Sequence, residues 1–359
     1  MALPRKYIAI PVMVAALMML YFLHSTGYRP LSPQTWTRPA LSHLPDYFAA
    51  AAPPYTAAVV YLHSVMPGPR NPARLLHELP ILQKNIPWRH QWPVLVLHAG
   101  AYDTAESQQD FLTHLHASAI SQNLTADATE KLMKRVEFVH TDHGLPEGIP
   151  AEGKADKPLF AQTGAWPAYN HMCAFNSYKI FSHPRITNLT YYLRLDDDST
   201  IRSPACFDPF EYMHVNNKSY AFTKVVNDAG WVTEGMWPFV SNYAQRHPDV
   251  ERHLRGNDWK WPPNRLWLNN FGQGHDFPSY GTNFDLVRLS RFRTPEMTAY
   301  LDELASDPKR FYWYRWGTSP LCSGRAYETL TSVACRRRSA AVRTGEHVSR
   351  CRGRGPYDV

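Results

Sequence analysis

The run Tyr191-Tyr192-Leu193-Arg194-Leu195-Asp196-Asp197-Asp198-Ser199-Thr200 decides how the rest of the chain is read. Its aromatic and leucine side chains suit a strand buried in an α/β sheet. Three carboxylates follow at once, where that strand would end, and open α/β sheets bind ligands at the carboxyl ends of their strands. Adjacent like charges repel, so an ordered cluster needs a counter-charge. A hard divalent cation, Mg2+ or Mn2+, would supply one, take oxygen ligands and hold a phosphate-bearing substrate in turn. A solvated acidic turn is the plain structural alternative.

Strand and helix signals alternate around this run. Residues 57–62 read as a first strand, and residues 71–86 as a helix carrying Leu75, Leu76, Leu79, Ile81 and Leu82. Residues 94–98 form a second buried strand. Asp103-Thr104-Ala105-Glu106 has capping-box form with Asp103 as N-cap, opening a helix through Phe111, Leu112 and Leu115. Residues 136–140 give a third strand, 144–157 a surface loop, and 166–181 a helix feeding the opening run. Asp208-Pro209 and Thr294-Pro295-Glu296 start two more helices, each with proline at the first position. Residues 220–223 read as a further strand, and 259–270, with three tryptophans, as a structural aromatic loop. The alternation predicts an α/β fold with a mainly parallel sheet covered on both faces.

With 359 residues and 44% hydrophobic content, the chain can build one large α/β domain or two ordinary ones. Thirty prolines and eleven tryptophans favour a loop-rich globule over a bundle. The net charge is +7, and much of the excess lies from Arg336 onward, so the folded body is less basic and no nucleic-acid partner is expected. Arg5-Lys6 precede an apolar run over residues 7–23, which reads as an uncleaved signal-anchor; a cleaved signal peptide is the alternative. Residues 1–6 are then a cytosolic tail and 24–54 a stem containing Pro30, Pro33, Pro39, Pro45 and Pro53. Residues 55–330 form the lumenal body of a single-pass type II membrane protein, and 331–359 an arginine-rich tail expected to be disordered. Sequons at Asn123, Asn188 and Asn217 accord with a lumenal body. Five cysteines, an odd number, leave at least one thiol unpaired or intermolecular in an oxidising lumen.

Five ordered motifs carry a family resemblance. They are Tyr169-Asn170-His171-Met172-Cys173-Ala174-Phe175-Asn176-Ser177, the run Tyr191 through Asp198, Phe207-Asp208-Pro209-Phe210, Thr282-Asn283-Phe284-Asp285, and Phe311-Tyr312-Trp313-Tyr314-Arg315-Trp316-Gly317. In this order they resemble the fungal-type α-1,2-mannosyltransferases of glycosyltransferase family 15, whose patterns are Y-R-x-M-C-R-F-x-S, Y-Y-W-R-V-E-P-D, D-P-F, S-N-F-E and F-F-Y-E-R-W-G. The resemblance implies a GT-A-like nucleotide-diphospho-sugar transferase fold. It implies a GDP-mannose donor, Mn2+ (or Mg2+) on the diphosphate, and transfer with retention to a mannose-bearing N- or O-linked glycan in the Golgi. Carried onto this chain, Asp196 and Asp198 hold the metal and Asp285 is the catalytic carboxylate, as nucleophile or as electrostatic partner. Tyr169, Arg194, Asp197, Tyr280, Asn283, Arg315 and Trp316 line the donor or substrate site. Arg194 pairing with Asp196 or Asp198, and Trp316 as core packing, are the structural alternatives.

The chain also departs from the family pattern. Asp196 and Asp285 stand where the family has glutamate, Asp197 where it has proline, and Asn170 where it has arginine. Thr318 through Ser323 replace D-A-P-V-H-S, and a final G-Y-x-H segment, whose histidine is expected to help hold the metal, has no counterpart after Tyr327. Three other readings therefore stand beside the transferase. They are a catalytically impaired member acting as glycan-binding or assembly partner, a transferase using another nucleotide sugar, and a tail-driven binder of nucleic acid or anionic lipid.

Overall fold

A computed structural model describes residues 53–153, 166–223, 225–228, 232–248, 277–281, 283–314 and 316. The chain divides into two units, Met1–Pro53 and Pro54–Val359, and every element below belongs to the second. The apolar run 7–23, the stem, the aromatic stretch 259–270 and the arginine-rich tail lie outside the described residues. Among those described, no helix is long and apolar enough to cross a membrane.

In chain order the elements are β1 (Ala57–Leu62), α1 (Ala73–Asn85), β2 (Val94–His98), α2 (Ala105–Ser121), α3 (Ala126–Arg135), β3 (Val136–His140), α4 (Ala168–Ser177), α5 (Pro184–Thr187) and β4 (Tyr191–Leu195). There follow α6 (Pro209–Val215), β5 (Tyr220–Phe222), β6 (Val225–Asp228), α7 (Met236–Arg246), β7 (Phe277–Tyr280), β8 (Phe284–Arg288), α8 (Pro295–Ala305) and α9 (Lys309–Tyr312). The main sheet has the order β3-β2-β1-β4-β8-β5, and β6 pairs with β7 in a separate antiparallel ribbon. The β3-β2, β2-β1 and β1-β4 pairings are parallel; β4-β8 and β8-β5 are antiparallel. The sheet is thus mixed and mainly parallel, as expected.

The two-residue alternation of a strand sorts its side chains between two cores. Ala58, Val60, Tyr192 and Val287 face one layer, built on Phe175, Ile180, Tyr300 and Phe311. Val59, Tyr61, Tyr191 and Leu193 face the other, with Leu75, Leu79, Phe111, Leu115 and Phe210. Both faces are buried, which is why β1 and most of β2 read as apolar runs rather than alternating ones, and why the one charge inside β4, Arg194, needs partners.

Two expectations need correction. Asp103 is not the cap of α2: Thr104 takes that place, its Oγ1 accepting from the Ser107 amide at 3.2 Å, while the Asp103 carboxylate accepts from His140 Nδ1 at 2.7 Å. The long helix over 166–181 is broken. It ends at Ser177, whose hydroxyl donates back to the Cys173 carbonyl at 2.6 Å, and a 3-10 turn, Lys179–Ser182, follows. Elements α3, β6, α7, β7 and β8 are additions to the sequence-based expectation. At α6 the expected proline start holds, with Asp208 Oδ1 accepting from the Phe210 amide at 2.9 Å.

Candidate active site

Strands β1 to β3 step outward from one side of β1, and β4 lies on the other. At such a reversal the connections leave a crevice at the carboxyl ends of the two central strands. His63 follows β1 there, and Asp196 follows β4.

The β4–β8 ladder places Arg194 directly opposite Asp285, and the Asp196 amide donates to the Asn283 carbonyl at 3.3 Å. Arg194 is buried. Its Nη1 donates to Asp285 Oδ2 at 3.2 Å and its Nη2 to Asp196 Oδ1 at 2.7 Å. Burial opposes the charge on Arg194, and Asp196 and Asp285 more than offset it, so the guanidinium stays charged. Asp285 is 1% exposed and also accepts from the Tyr220 hydroxyl at 2.5 Å. Burial pushes its carboxyl up to about 7, against the pull of the Arg194 charge and the Tyr220 hydrogen bond.

The other two aspartates turn toward the connection between β1 and α1. Asp197 Oδ2 lies 3.3 Å from His63 Nδ1 and 3.5 Å from Arg70 Nη2; Asp198 Oδ2 lies 3.4 Å from Arg74 Nη1. The protein's own cations therefore supply counter-charge to all three carboxylates, and the turn does not need a metal for its charge balance. The donor chemistry nevertheless suits a metal. Asp196 keeps Oδ2 and Asp198 keeps Oδ1 outside these contacts, and the donor set is all oxygen. Mg2+ and Mn2+ are commonly held by one or two carboxylates, with substrate phosphates and water completing the shell.

The remaining candidates scatter. Asn283 is exposed beside the turn, and Tyr169 is half-buried on α4. The backbone of Tyr280 pairs with Val225 in the ribbon, and Arg315 lies outside the described residues. Trp316, expected at the substrate, is 2% exposed: its Nε1 donates to the Glu234 carbonyl at 3.0 Å and its ring packs 5.7 Å from that of Phe239. It packs in the core of the helical layer, as the structural alternative has it. Asn170, the arginine of the similar motif, is fully buried and donates to the Phe311 carbonyl at 2.6 Å, tying α4 to α9.

His98, Asp103 and His140 also converge, with ligand atoms within 4.8 Å of one another. Backbone amides of Gly100 and Tyr102 already donate to His98 Nδ1 at 3.2 and 3.3 Å. Two N–H dipoles aimed at that lone pair disfavour a cation there, and the cluster locks its loop by hydrogen bonds. The residues sequence reasoning missed are Tyr220, His63, Arg70 and Arg74. Tyr220 lies opposite Val287, two residues from Asp285, and so on the same face of the sheet, a register with no local signal in the sequence.

Residues 120–332 match the family described as Glycolipid 2-alpha-mannosyltransferase, more than half of the chain. The O-glycoside alpha-1,2-mannosyltransferase omh1 of Schizosaccharomyces pombe is 29% identical over 158 residues, 44% of this chain and 38% of omh1. The probable mannosyltransferase KTR3 of Saccharomyces cerevisiae is 29% identical over 173 residues, 48% of this chain and 40% of KTR3. The matched stretch thus spans less than half the length of these relatives. Among solved structures, the mannosyltransferase Ktr4p from S. cerevisiae in complex with GDP superposes with a TM-score of 0.57 at 20% identity, covering 76% of this chain and 66% of that one. Core-mannan synthase A (CmsA/Ktr4) from Aspergillus fumigatus, in its Mn/GDP form, gives 0.56 at 19% identity, over 77% and 71%. At such identities the likeness establishes the fold, which is GT-A-like.

Proposed function

The chain belongs to the glycolipid 2-alpha-mannosyltransferase family, and from that premise we propose that it moves mannose from GDP-mannose to a mannose-bearing glycan, forming an α-1,2 bond with retention. The observation that carries this reading is the Asp196–Arg194–Asp285 array, buried at Arg194 and Asp285 and open at Asp196, which joins the carboxylate turn to β8 at the crevice. A polar array so deep in a sheet is costly to desolvate, and such arrays cluster at functional sites. Asp196 and Asp198 would hold Mn2+ or Mg2+. When bound, such an ion neutralises charge on the departing diphosphate as a Lewis acid.

Both oxygens of Asp285 are engaged, one by Arg194 and one by Tyr220, and its side chain is 2% exposed. It is therefore a positioning residue rather than an attacking one. Ionised, it fixes Arg194, and Arg194 fixes Asp196. Retention then follows from departure and attack on one face of the sugar, with the leaving phosphate as base.

The proposal extends to the compartment: a type II protein of the Golgi membrane, its body lumenal. The apolar run 7–23 supports this, as do the disulfide at Cys206 and the exposed sequon residues Asn123, Asn188 and Asn217. The arginine contacts to Asp197 and Asp198 favour one alternative, a glycan-binding member without metal chemistry. Calorimetry on the full chain with Mn2+ and GDP, followed by transfer from GDP-mannose to methyl α-mannoside, separates the two. Metal-dependent GDP binding and product support the transferase; neither appearing refutes it.

A further inference from the structure

Of the three aspartates in the turn, Asp197 leans furthest inward. Its side chain is 16% exposed, against 31% for Asp196 and 52% for Asp198. The group it meets is His63, which is 1% exposed and held by ring stacking on Tyr102, with centroids 5.8 Å apart at 22°. Neither ring nitrogen of His63 makes an aligned hydrogen bond, yet Nδ1 stands 3.3 Å from Asp197 Oδ2, within ion-pair reach. A buried imidazole with no other partner is costly, so this carboxylate is what gives it a place in the fold. Arg70 reaches the same oxygen from the solvent side at 3.5 Å. The far end of the turn is pinned as well. Thr200 Oγ1 donates to buried Glu78 at 2.8 Å, and the Ser199 amide closes the turn onto the Asp196 carbonyl at 3.0 Å.

We propose that His63 is a positioning residue that holds Asp197 as an internal strut, so that Asp196 and Asp198, and not Asp197, are left to face a cation. The metal part of this statement rests on the transferase reading above; the strut itself does not. Where the similar motif has proline, a residue stiff through its own ring, this chain has an aspartate that can be stiff only through a tertiary contact. His63 and Asp197 together supply that contact. The proposal withdraws Asp197 from the substrate-binding set and gives it a structural task.

Hydrogen exchange at the amides of residues 196–200, in the full chain without metal, tests the strut. His63→Phe keeps the stack on Tyr102 and removes the polar contact, and exchange should quicken about tenfold. Adding Asp197→Pro to that variant should return it toward wild type. With GDP present, Mn2+ affinity should fall about 10- to 100-fold in His63→Phe, as for other residues that orient metal ligands, and recover in the double variant. Unchanged exchange in His63→Phe overturns the proposal. So does an Asp197→Asn variant that loses as much Mn2+ affinity as Asp198→Asn, since Asp197 would then be a ligand. If His63→Phe does not fold, Asp197→Ala reads the strut from its other end, with faster exchange supporting it and unchanged exchange overturning it. A wild-type chain with no Mn2+-dependent GDP binding refutes the transferase reading, while exchange still decides the strut.

Discussion

Replacing Tyr220 by phenylalanine removes one oxygen and leaves the packing of β5 against β8 intact. That oxygen donates to Asp285 at 2.5 Å inside a site where the carboxyl already titrates at about 7. A hydrogen bond to a charged group is worth about 1.5–3 kcal/mol, and 1.36 kcal/mol is one pKa unit, so its loss raises the carboxyl by about 1–2 units. If ionised Asp285 is needed to fix Arg194, the wild-type rate falls below about pH 7. In Tyr220→Phe that acid limb moves to about 8–9. At pH 7 the ionised fraction drops from about a half to about a tenth or less, so the rate drops roughly fivefold or more and recovers at alkaline pH. The assay is initial transfer rate against pH at saturating donor and Mn2+. Stability gives a second readout with a fixed sign. The folded carboxyl binds its proton up to about pH 7, whereas the unfolded one releases it near the ordinary 3.8, so the folded state holds the extra proton in between. Stability contributed by this group therefore falls as pH rises through that window, and the variant extends the window upward. A limb that stays at pH 7, or a loss of rate equal at every pH, would refute the assigned role of the hydroxyl.

Asp198→Asn is expected to abolish Mn2+-dependent GDP binding while leaving the melting temperature within a degree or so, because the side chain is half exposed; undiminished binding in calorimetry would remove Asp198 from the metal set. Arg194→Met leaves the buried Asp285 without its cation and should destabilise the chain by about 3–5 kcal/mol, read from urea unfolding; a change under 1 kcal/mol would mean that Asp285 is already neutral there. Trp316→Ala should cost about 3–5 kcal/mol through the cavity it leaves, with KM for donor little changed in the surviving fold. A KM effect without a stability loss would return Trp316 to the substrate.

The fold was legible where burial on both faces left its mark. The strands β1, β2 and β4 are buried along their whole length and mainly apolar, and their parallel pairing follows from the helices between them. Two helix starts were also legible because Asp208 and Thr294 are N-caps with proline next in line, a local device that needs no tertiary partner. Asp103 shows the limit of such signals. Its capping-box spacing is genuine, but the carboxylate lies nearer to His140, thirty-seven residues away, and Thr104 is an adequate substitute cap. The competition is between two contacts of similar worth, and only the tertiary one depends on where β3 falls.

The site was legible to the same extent and for the same reason. The carboxylate run announced itself because three like charges after a buried strand are unusual within one short stretch. Arg194 was legible as the partner of Asp196; what neutralises Asp197 and Asp198 was not, because His63, Arg70 and Arg74 reach the turn from more than a hundred residues earlier. Asp285 and Trp316 exchange roles with respect to simple expectation. The aspartate, expected as the catalytic carboxylate, is buried among charges; the tryptophan, expected at the donor or substrate, packs in the core. Polarity alone does not tell these cases apart. An aspartate can be buried when its cross-strand neighbour is an arginine, and that pairing is fixed by the register of β4 on β8. A slip of one residue in that register would set Asp285 opposite an apolar neighbour on the other face, and the array joining Asp196 to Asp285 would not exist. Chemistry at this crevice therefore depends on strand alignment as much as on which residues the chain contains.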